Sequence, residues 1–506
     1  MADIRVRFPP SPTGALHVGG LMTALANHAF AKKHGGTLIF RVEDTDQKRL
    51  VSDSEAHILE GLAWLGIVPD EGPTQGGKFG PYRQSERKPI YAQYAAQLVK
   101  EGKAYYAFDT MEELEKMRDR QRMLGKQSRQ YNAITRMTMK NSITLAAAEV
   151  ERRIAAGDPY VIRLRVNPQQ TVRFKDEVRN WIQVVGSTLD DKVLLKEDKM
   201  PTYHLASVVD DHLMQISHVI RGEEWLSSAP IHILLYEAFG WPPPKFAHLP
   251  LLLRKHGPGK LSKRQALEDN IPIFATTWKD PNTQKVHKGF RELGYLPEAF
   301  TNFLALLCWH PGGNEEVFDK KVLVEGFAFN RIHKSGSRFD VEKANWFNKQ
   351  YIRKIPNQTI TEKYLAPRLK AAQTPTTLDL LKVAAFVKQH ATLTNDLWEA
   401  HTYFFTPPKA YPMEVVKTKY TPTIQALFTK IIQTLEALAV FDETTTKKAI
   451  MEQIRAHNRK PNEIMPLLRI AITAKIKGPN LSGIMAPLGQ QETLKRLKKA
   501  QEAWTI

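Results

Sequence analysis

Thiol chemistry is almost absent from this chain, whose 506 residues include one cysteine, Cys308. A single cysteine permits no intrachain disulfide and no cysteine-built zinc cluster, and it fits a reducing cytoplasm. Its setting, Phe303-Leu304-Ala305-Leu306-Leu307-Cys308-Trp309, marks it as a core thiol. Long hydrophobic runs are missing as well. No stretch approaches a membrane span, and Met1-Ala2-Asp3-Ile4 does not open a signal-peptide pattern, so the cytoplasm is the expected compartment and no membrane partner is expected. There is no internal repeat and no coiled-coil heptad. Acidic residues are scarce relative to basic ones, 53 against 72, for a formal charge of +19. That surplus favours a polyanionic partner, because lysine and arginine gain affinity by releasing counterions from a phosphate backbone. Charge alone suits a ribosomal or DNA-binding protein equally. The length accommodates roughly three to five domains, and 42% apolar residues suffice for their cores.

What is present is most informative at Arg7-Phe8-Pro9-Pro10-Ser11-Pro12-Thr13-Gly14-Ala15-Leu16-His17-Val18-Gly19-Gly20. Just upstream, Ile4-Arg5-Val6-Arg7-Phe8 alternates apolar and charged residues as a strand does. Residues 21–30 have helical composition, and Gly35-Gly36 stops them. The segment His17 to Gly20 therefore sits where a strand has crossed a proline-rich turn and a helix begins. Small residues there admit a ligand to the backbone, free N–H groups and the helix dipole attract phosphate, and a histidine at the rim can donate to a phosphate oxygen. No Walker Gly-Lys-Ser/Thr follows. A strand over 37–42 and helices near 53–65 and 89–100 continue the alternation, which implies a parallel sheet with ligands at the carboxyl ends of its strands. From about 110 to 157 the chain turns lysine-, arginine- and methionine-rich. Strands return at 160–166 and 193–196, and a helix spans 230–239. Beyond Ser335-Gly336-Ser337 the pattern is helical, amphipathic and basic, as at 424–438 and 493–503.

Far downstream, Gly257-Pro258-Gly259 precedes Lys260-Leu261-Ser262-Lys263-Arg264. Alone, this is a solvated basic loop. Together with His17-Val18-Gly19-Gly20 it resembles the two ATP signatures of class I aminoacyl-tRNA synthetases. Further stretches narrow the resemblance to bacterial-type glutamyl-tRNA synthetases: Phe40-Arg41-Val42-Glu43-Asp44-Thr45-Asp46, Gly80-Pro81-Tyr82-Arg83-Gln84-Ser85-Glu86-Arg87, Pro201-Thr202-Tyr203-His204-Leu205-Ala206, Val209-Asp210-Asp211-His212 and Val219-Ile220-Arg221-Gly222-Glu223-Glu224-Trp225. It is dense from residue 3 to about 270 and continuous but weaker beyond. The fold it implies is multidomain α/β. A Rossmann-type catalytic domain (1–81 and 201–254) is split by an acceptor-end insertion (82–200). A mixed connector carrying the lysine loop (255–335) and an all-α anticodon-binding region (336–506) follow.

The implied reaction joins glutamate to glutamate tRNA through glutamyl-adenylate, with ATP and Mg²⁺ entering together and a monomer expected. His17 and Lys263 would serve the phosphates, with Gly14, Gly19, Gly20, Lys260 and Ser262 completing the ATP site. Arginines matching Arg7 and Arg221 read the substrate carboxylates, Arg221 the side-chain one, because a guanidinium meets a carboxylate bidentately. Glu43 can take the ammonium, and Ser11 and Tyr203 match further amino-acid contacts. For RNA, the expectations are Arg83 and Glu86 in the insertion, and Arg331, Arg338, Tyr351 and Arg353 toward the anticodon, with Trp346 in the core. Asp210-Asp211-His212 has the composition of a metal site, but the resembling family includes it without making it one. Where some members carry zinc, this chain reads Gly125-Lys126-Gln127-Ser128-Arg129-Gln130-Tyr131, so no protein-bound zinc is expected. Pro10 and Ser207 also depart from the commoner alanine and asparagine. The rivals are a glutaminyl-tRNA synthetase, whose anticodon region is built of β-barrels, an enzyme that also charges glutamine tRNA, and an inactive RNA-binding descendant.

Overall fold

The computed structural model describes residues 3–125 and 129–504. The chain forms two compact units. One runs to Glu292 and resumes over Phe300–Val341; the other holds Leu293–Ala299 and the chain from Glu342.

In chain order the first unit contains β1 (Arg5–Phe8), α1 (Val18–Lys33), β2 (Thr37–Phe40), α2 (Ser54–Trp64), α3 (Lys88–Lys100), β3 (Ala104–Ala107), α4 (Met111–Met123), α5 (Ala147–Ala155) and β4 (Val161–Leu164). There follow β5 (Thr171–Asp176), β6 (Asn180–Val185), β7 (Val193–Leu195), α6 (Tyr203–Leu213), β8 (His218–Gly222), α7 (Ala229–Phe239), β9 (Lys245–Leu249), β10 (Leu252–Leu253) and α8 (Lys263–Glu268). β1 and β2 pair in parallel, as do β8 and β9. Ser217 joins the two pairs: its N–H donates to Arg5 O at 2.9 Å, and Arg5 N–H returns a bond to its hydroxyl at 2.9 Å. All four residues of β1 are buried, arginines included. Burial on both faces is the mark of a parallel strand covered by helices. The alternation of charge in β1 therefore does not separate a wet face from a dry one; it places two arginines inside.

The chain between α3 and α6 divides in two directions. β3, β4 and β7 form a small antiparallel sheet. The hairpin of β5 and β6 instead extends the nucleotide-fold sheet, giving the order β6-β5-β9-β8, with Asp176 beside Phe246. Neither β3 nor this hairpin was anticipated from sequence. In the connector, β10 pairs in parallel with Ser337–Arg338. Cys308 is buried, and burial pushes its thiol up to about 12, as befits an inert core residue.

The second unit is helical, as its amphipathic periodicity requires. Helices Pro422–Glu436, Glu443–Ala456, Pro461–Thr473 and Leu481–Trp504 share a core that includes Leu427, Phe428, Ile431, Leu467, Leu497 and Trp504. One expectation fails here. Trp346 is 43% exposed, and the core position belongs to its neighbour Phe347. On a helix adjacent residues point about 100° apart, so one of the two had to face out.

α6 places the acids Asp210 and Asp211 inside the first unit. Asp210 accepts from Arg87 Nε, Gln84 Nε2 and Tyr91 Oη, each at 2.8 Å. His212 lies flat on Trp241, ring centroids 3.7 Å apart. The Asp-Asp-His run is thus an ion-pair anchor and a stacking contact. Removing one partner of a buried pair leaves the other charge stranded, at a cost of about 3–5 kcal/mol. Arg87→Met should therefore lower the denaturation midpoint of the first unit by an amount corresponding to that cost, measured by urea unfolding; an unchanged midpoint would show Asp210 is adequately held by Gln84 and Tyr91.

Candidate active site

A cavity of about 550 Å³ opens at the carboxyl ends of β1 and β8, and it gathers every residue that the sequence assigned to ATP or the amino acid: Arg7, Ser11, Gly14, His17, Gly19, Gly20, Glu43, Tyr203, Arg221, Lys260, Ser262 and Lys263. Two ends of different chemistry can be distinguished.

At the first, His17 caps α1. Its Nδ1 accepts the Gly19 N–H at 3.0 Å, so the remaining proton sits on Nε2, the ring's donor at the cavity wall. Burial, with Lys260 and Lys263 nearby, lowers its pKa from 6.5 to about 4 and keeps it neutral. The expectation of free N–H groups at this helix start needs correction. Gly19 N–H is occupied by His17, and Val18 N–H donates to Ile273 O at 2.9 Å. The glycines serve packing: a Cβ on Gly19 would stand 2.9 Å from the His17 ring, and one on Gly20 would stand 2.3 Å from Leu16. Gly14, at φ +129°, similarly leaves room for Lys263 Nζ. Lys263 begins α8, which Ser262 caps by accepting the Gln265 N–H at 3.2 Å. Burial lowers the ammonium pKa of Lys263, and its near contacts are the Ala15 carbonyl at 3.5 Å and the Phe274 ring. Lys260 pairs with Glu224 at 2.8 Å, both half-exposed. Such a pair contributes little.

At the other end, arginines face a buried carboxylate frame. Asp211 accepts from Arg7 Nε at 3.1 Å and from Arg41 Nη1 at 2.8 Å; Arg41 Nη2 reaches Glu43 at 3.0 Å. Burial works to raise the Asp211 pKa, but Arg7 and Arg41 outweigh it and hold the carboxyl below its usual range. For Glu43 burial wins over the pull of Arg41 and Arg7 and moves its pKa up. Arg7 Nη1 is buried with no hydrogen-bond partner among the described residues. Arg221 differs in kind. Its Nε donates to His248 Nε2 at 3.0 Å, Nη1 to the Tyr203 hydroxyl at 2.8 Å, and Nη2 to the Trp225 carbonyl at 3.2 Å. Because His248 Nε2 accepts, its proton is on Nδ1, which donates to Asp176 at 2.6 Å. His248 is therefore neutral, consistent with the downward shift that burial gives it against the bond to Asp176. His232, pushed well below its ordinary pKa by burial and by Arg221, sets the Nδ1 of a second neutral ring 3.4 Å from Arg221 Nη1. Arg221 is thus a buried cation whose direct partners are all neutral. His248, His232, Asp176 and Trp225 were missed as site residues; only the location of Trp225 in the motif Arg221-Gly222-Glu223-Glu224-Trp225 hinted at one of them.

Residues 3–346 match the family described as tRNA synthetases class I (E and Q), catalytic domain, and residues 348–501 match the anticodon binding domain. The chain belongs to the class I tRNA synthetases. It is 52% identical over 500 residues to the glutamate–tRNA ligase of Amoebophilus asiaticus, covering 98% of each chain, and 46% identical over 502 residues to that of Porphyromonas gingivalis, covering 99% of this chain and 98% of the other. Its fold is similar to the crystal structure of a glutamate tRNA ligase from Elizabethkingia meningosepticum in complex with its amino acid, with TM-score 0.90, 41% identity and coverage of 99% and 100%. Membership in this class implies ATP as a substrate and tRNA as a partner. No helix among the described residues is long and apolar enough to cross a membrane.

The residues expected to touch RNA fare less evenly in this synthetase. Arg83 is held bidentately by Glu55 at 2.9 and 3.1 Å and also reaches Glu86. Arg331 donates to the Pro311 carbonyl at 2.8 Å. Arg338 donates to the carbonyls of Arg254, Lys255 and Gly257, bracing the loop ahead of Lys260, and it belongs to the first unit. Arg353 is exposed in the second unit, with one long bond to Gln389 O at 3.4 Å. Lys126, Gln127 and Ser128, in the stretch considered for zinc, lie outside the described residues. Ser207 is buried one turn after Tyr203, and its hydroxyl lacks a partner among the described residues.

Four histidines in the first unit, His17, His28, His204 and His218, have pKa values lowered from 6.5 to about 4, burial being the largest cause in each. Between those values the unfolded chain binds protons that the folded chain refuses, so stability rises with pH across this window. The denaturation midpoint should fall as pH drops from 7 toward 4 and be insensitive to these groups above 7. Scanning calorimetry at pH 7, 6 and 5 checks this; equal midpoints would mean the rings are protonated in the native state.

Proposed function

We propose that this synthetase is a glutamate–tRNA ligase in which Arg221 and Tyr203 select the side-chain carboxylate. The observation that carries this reading is the hydrogen-bond count at Arg221. Of the five guanidinium hydrogens, Nε gives one to His248, Nη1 gives its two to Tyr203 and His232, and Nη2 gives one to Trp225. One Nη2 hydrogen remains, and the Tyr203 hydroxyl, having accepted from Arg221, still has its own hydrogen to give. Both free groups are donors. A carboxylate only accepts, whereas a carboxamide would direct its NH₂ at one of them, and glutamine would also leave the buried guanidinium without an anion. The orphaned Arg7 Nη1 suits the second carboxylate, and Glu43 suits the ammonium. The close relatives named for glutamate agree with this choice.

Activation begins when the α-carboxylate of glutamate attacks the α-phosphorus of ATP and pyrophosphate leaves. Two anions must be brought together, so the protein's work is alignment and charge neutralisation. His17 Nε2–H and the Lys263 ammonium meet the phosphates, with Lys260 joining once it releases Glu224. Mg²⁺ arrives as the ATP complex, with phosphate oxygens and water as its ligands. In the second step a terminal ribose hydroxyl of the tRNA attacks the glutamyl carbonyl and AMP departs. The segment 82–200 holds the acceptor end and the helical unit reaches the anticodon, in the cytoplasm.

Charging of glutamate and glutamine tRNAs with each labelled amino acid tests the assignment: glutamate should be attached to glutamate tRNA, and preferential attachment of glutamine would overturn it. In the same assay Arg221→Gln should lower kcat/KM for glutamate by about 30- to 1000-fold, the usual effect of losing a buried charge partner. Lys263→Ala should sharply reduce adenylate formation while leaving tRNA affinity nearly intact; a collapse of tRNA binding instead would make the loop an RNA contact.

A further inference from the structure

The hairpin of β5 and β6 has an outer face that the amino-acid and ATP site does not use. β6 is an edge strand of its sheet, and its sequence Asn180-Trp181-Ile182-Gln183-Val184-Val185 contains no charge. Exposed edges are normally blunted by lysine, proline or bulges. Here the edge instead presents Trp181, 58% exposed. The charges lie on the neighbouring strand and on the same face. Arg173 sets its guanidinium 4.4 Å from the indole centroid, and Lys175 is the register partner of Trp181.

We propose that this face is a stacking platform for a base of the unpaired acceptor end of tRNA, an inference that rests on the aminoacylation reading above. An aromatic ring flanked by cations is what single-stranded nucleic acid needs, the ring for a base and the cations for its phosphates. The location suits the acceptor end. The hairpin's turn is pinned to the cavity wall by Arg179, whose Nη2 lies 2.8 Å from Glu223, and Glu223 directly precedes the cavity residues Glu224 and Trp225. The inward residue of β5 at this point is Asp176, which holds His248 against Arg221. The hairpin turn next to Trp181 is therefore tied to the segment that lines the cavity in which the ester must form. A second copy of the chain is a poorer occupant of the edge, because Arg173 and Lys175 would meet another molecule of charge +19. A peptide strand added to β6 would leave the outward Trp181, Arg173 and Lys175 unused.

The test compares the full-length enzyme with Trp181→Ala, Trp181→Phe and the double variant Arg173→Gln/Lys175→Gln, measuring tRNA affinity directly and KM in charging. Trp181→Ala should raise both Kd and KM for tRNA about tenfold, within the range for loss of one stacked base, with KM for glutamate unmoved. Trp181→Phe should recover most of the loss. The double variant should flatten the dependence of log Kd on log salt by about 1.4, as expected for two phosphate contacts to a single strand. On tRNA lacking its unpaired 3′ nucleotides, wild type and Trp181→Ala should bind equally. Unchanged tRNA affinity in Trp181→Ala overturns the proposal, as does a difference that persists on the truncated tRNA. A changed sedimentation coefficient of the free variant with normal tRNA affinity would assign the edge to a protein copy and also overturn it. Because the affinities are measured without ATP or glutamate, they decide the platform even if wild type fails to charge glutamate, which would refute the ligase reading instead.

Discussion

The site depends on a run of buried charge that alternates in sign: Arg7, Asp211, Arg41 and Glu43, drawn from β1, α6 and the strand end after β2. Each would be prohibitively costly alone in a protein interior. Together they largely satisfy one another; Arg7 Nη1 and Arg41 Nε keep no hydrogen-bond partner among the described residues, and of the four residues Arg7 and Glu43 line the cavity. The frame therefore fixes where the cavity presents a cation, at Arg7, and a carboxyl, at Glu43. Arg41, wholly buried and touching both acids, never needs to meet substrate for this to hold. Its role is to keep Asp211 and Glu43 from repelling one another.

Arg221 uses the opposite arrangement. It is surrounded by neutral acceptors, and the Asp176 carboxylate reaches it through His248. The imidazole carries polarity from Asp176 without carrying a net charge, so Arg221 is oriented but not neutralised. Had Asp176 touched Arg221 directly, the guanidinium would already have its anion and a substrate carboxylate would gain little. One ring of spacing distinguishes a structural salt bridge from a recognition site. The neutral state of His248 is also self-consistent, because protonating it would place two cations face to face.

Much of this was legible in sequence and part was not, for physical reasons. The strand, turn and helix around His17 are local, marked by prolines, glycines and a change of period, and the helical second unit follows from amphipathic repeats. The cavity residues could be named because they lie in compact motifs. Their partners could not. Asp210-Asp211-His212 has the composition of a metal site without being expected to be one, and composition could not show that Asp211 pairs with Arg7, 204 positions away. Gly19 and Gly20 line the cavity, but a glycine shows only that a Cβ is unwelcome, so the close approach of His17 and Leu16 to them could not be read from it. Trp346 and Phe347 are equivalent in composition, and only the phase of the helix decides which is buried. The hairpin is harder to read than the other elements: β5 alternates as a half-buried strand does, but in β6 the exposed Trp181 and Val185 blur the pattern.

That hairpin also shows how strand geometry divides labour. Successive side chains of β5 point to opposite faces, so Asp176 faces His248 while Lys175 faces out with Arg173. A register slip of one residue would turn Lys175 toward His248, setting a second cation beside Arg221, and would expose Asp176 on a face that is otherwise cationic. Six paired positions, from Thr171 opposite Val185 to Asp176 opposite Asn180, hold the register against that error. The same register that turns Asp176 toward His248 and Arg221 therefore fixes which charges the outer face presents, and the two faces of the hairpin cannot vary independently of one another.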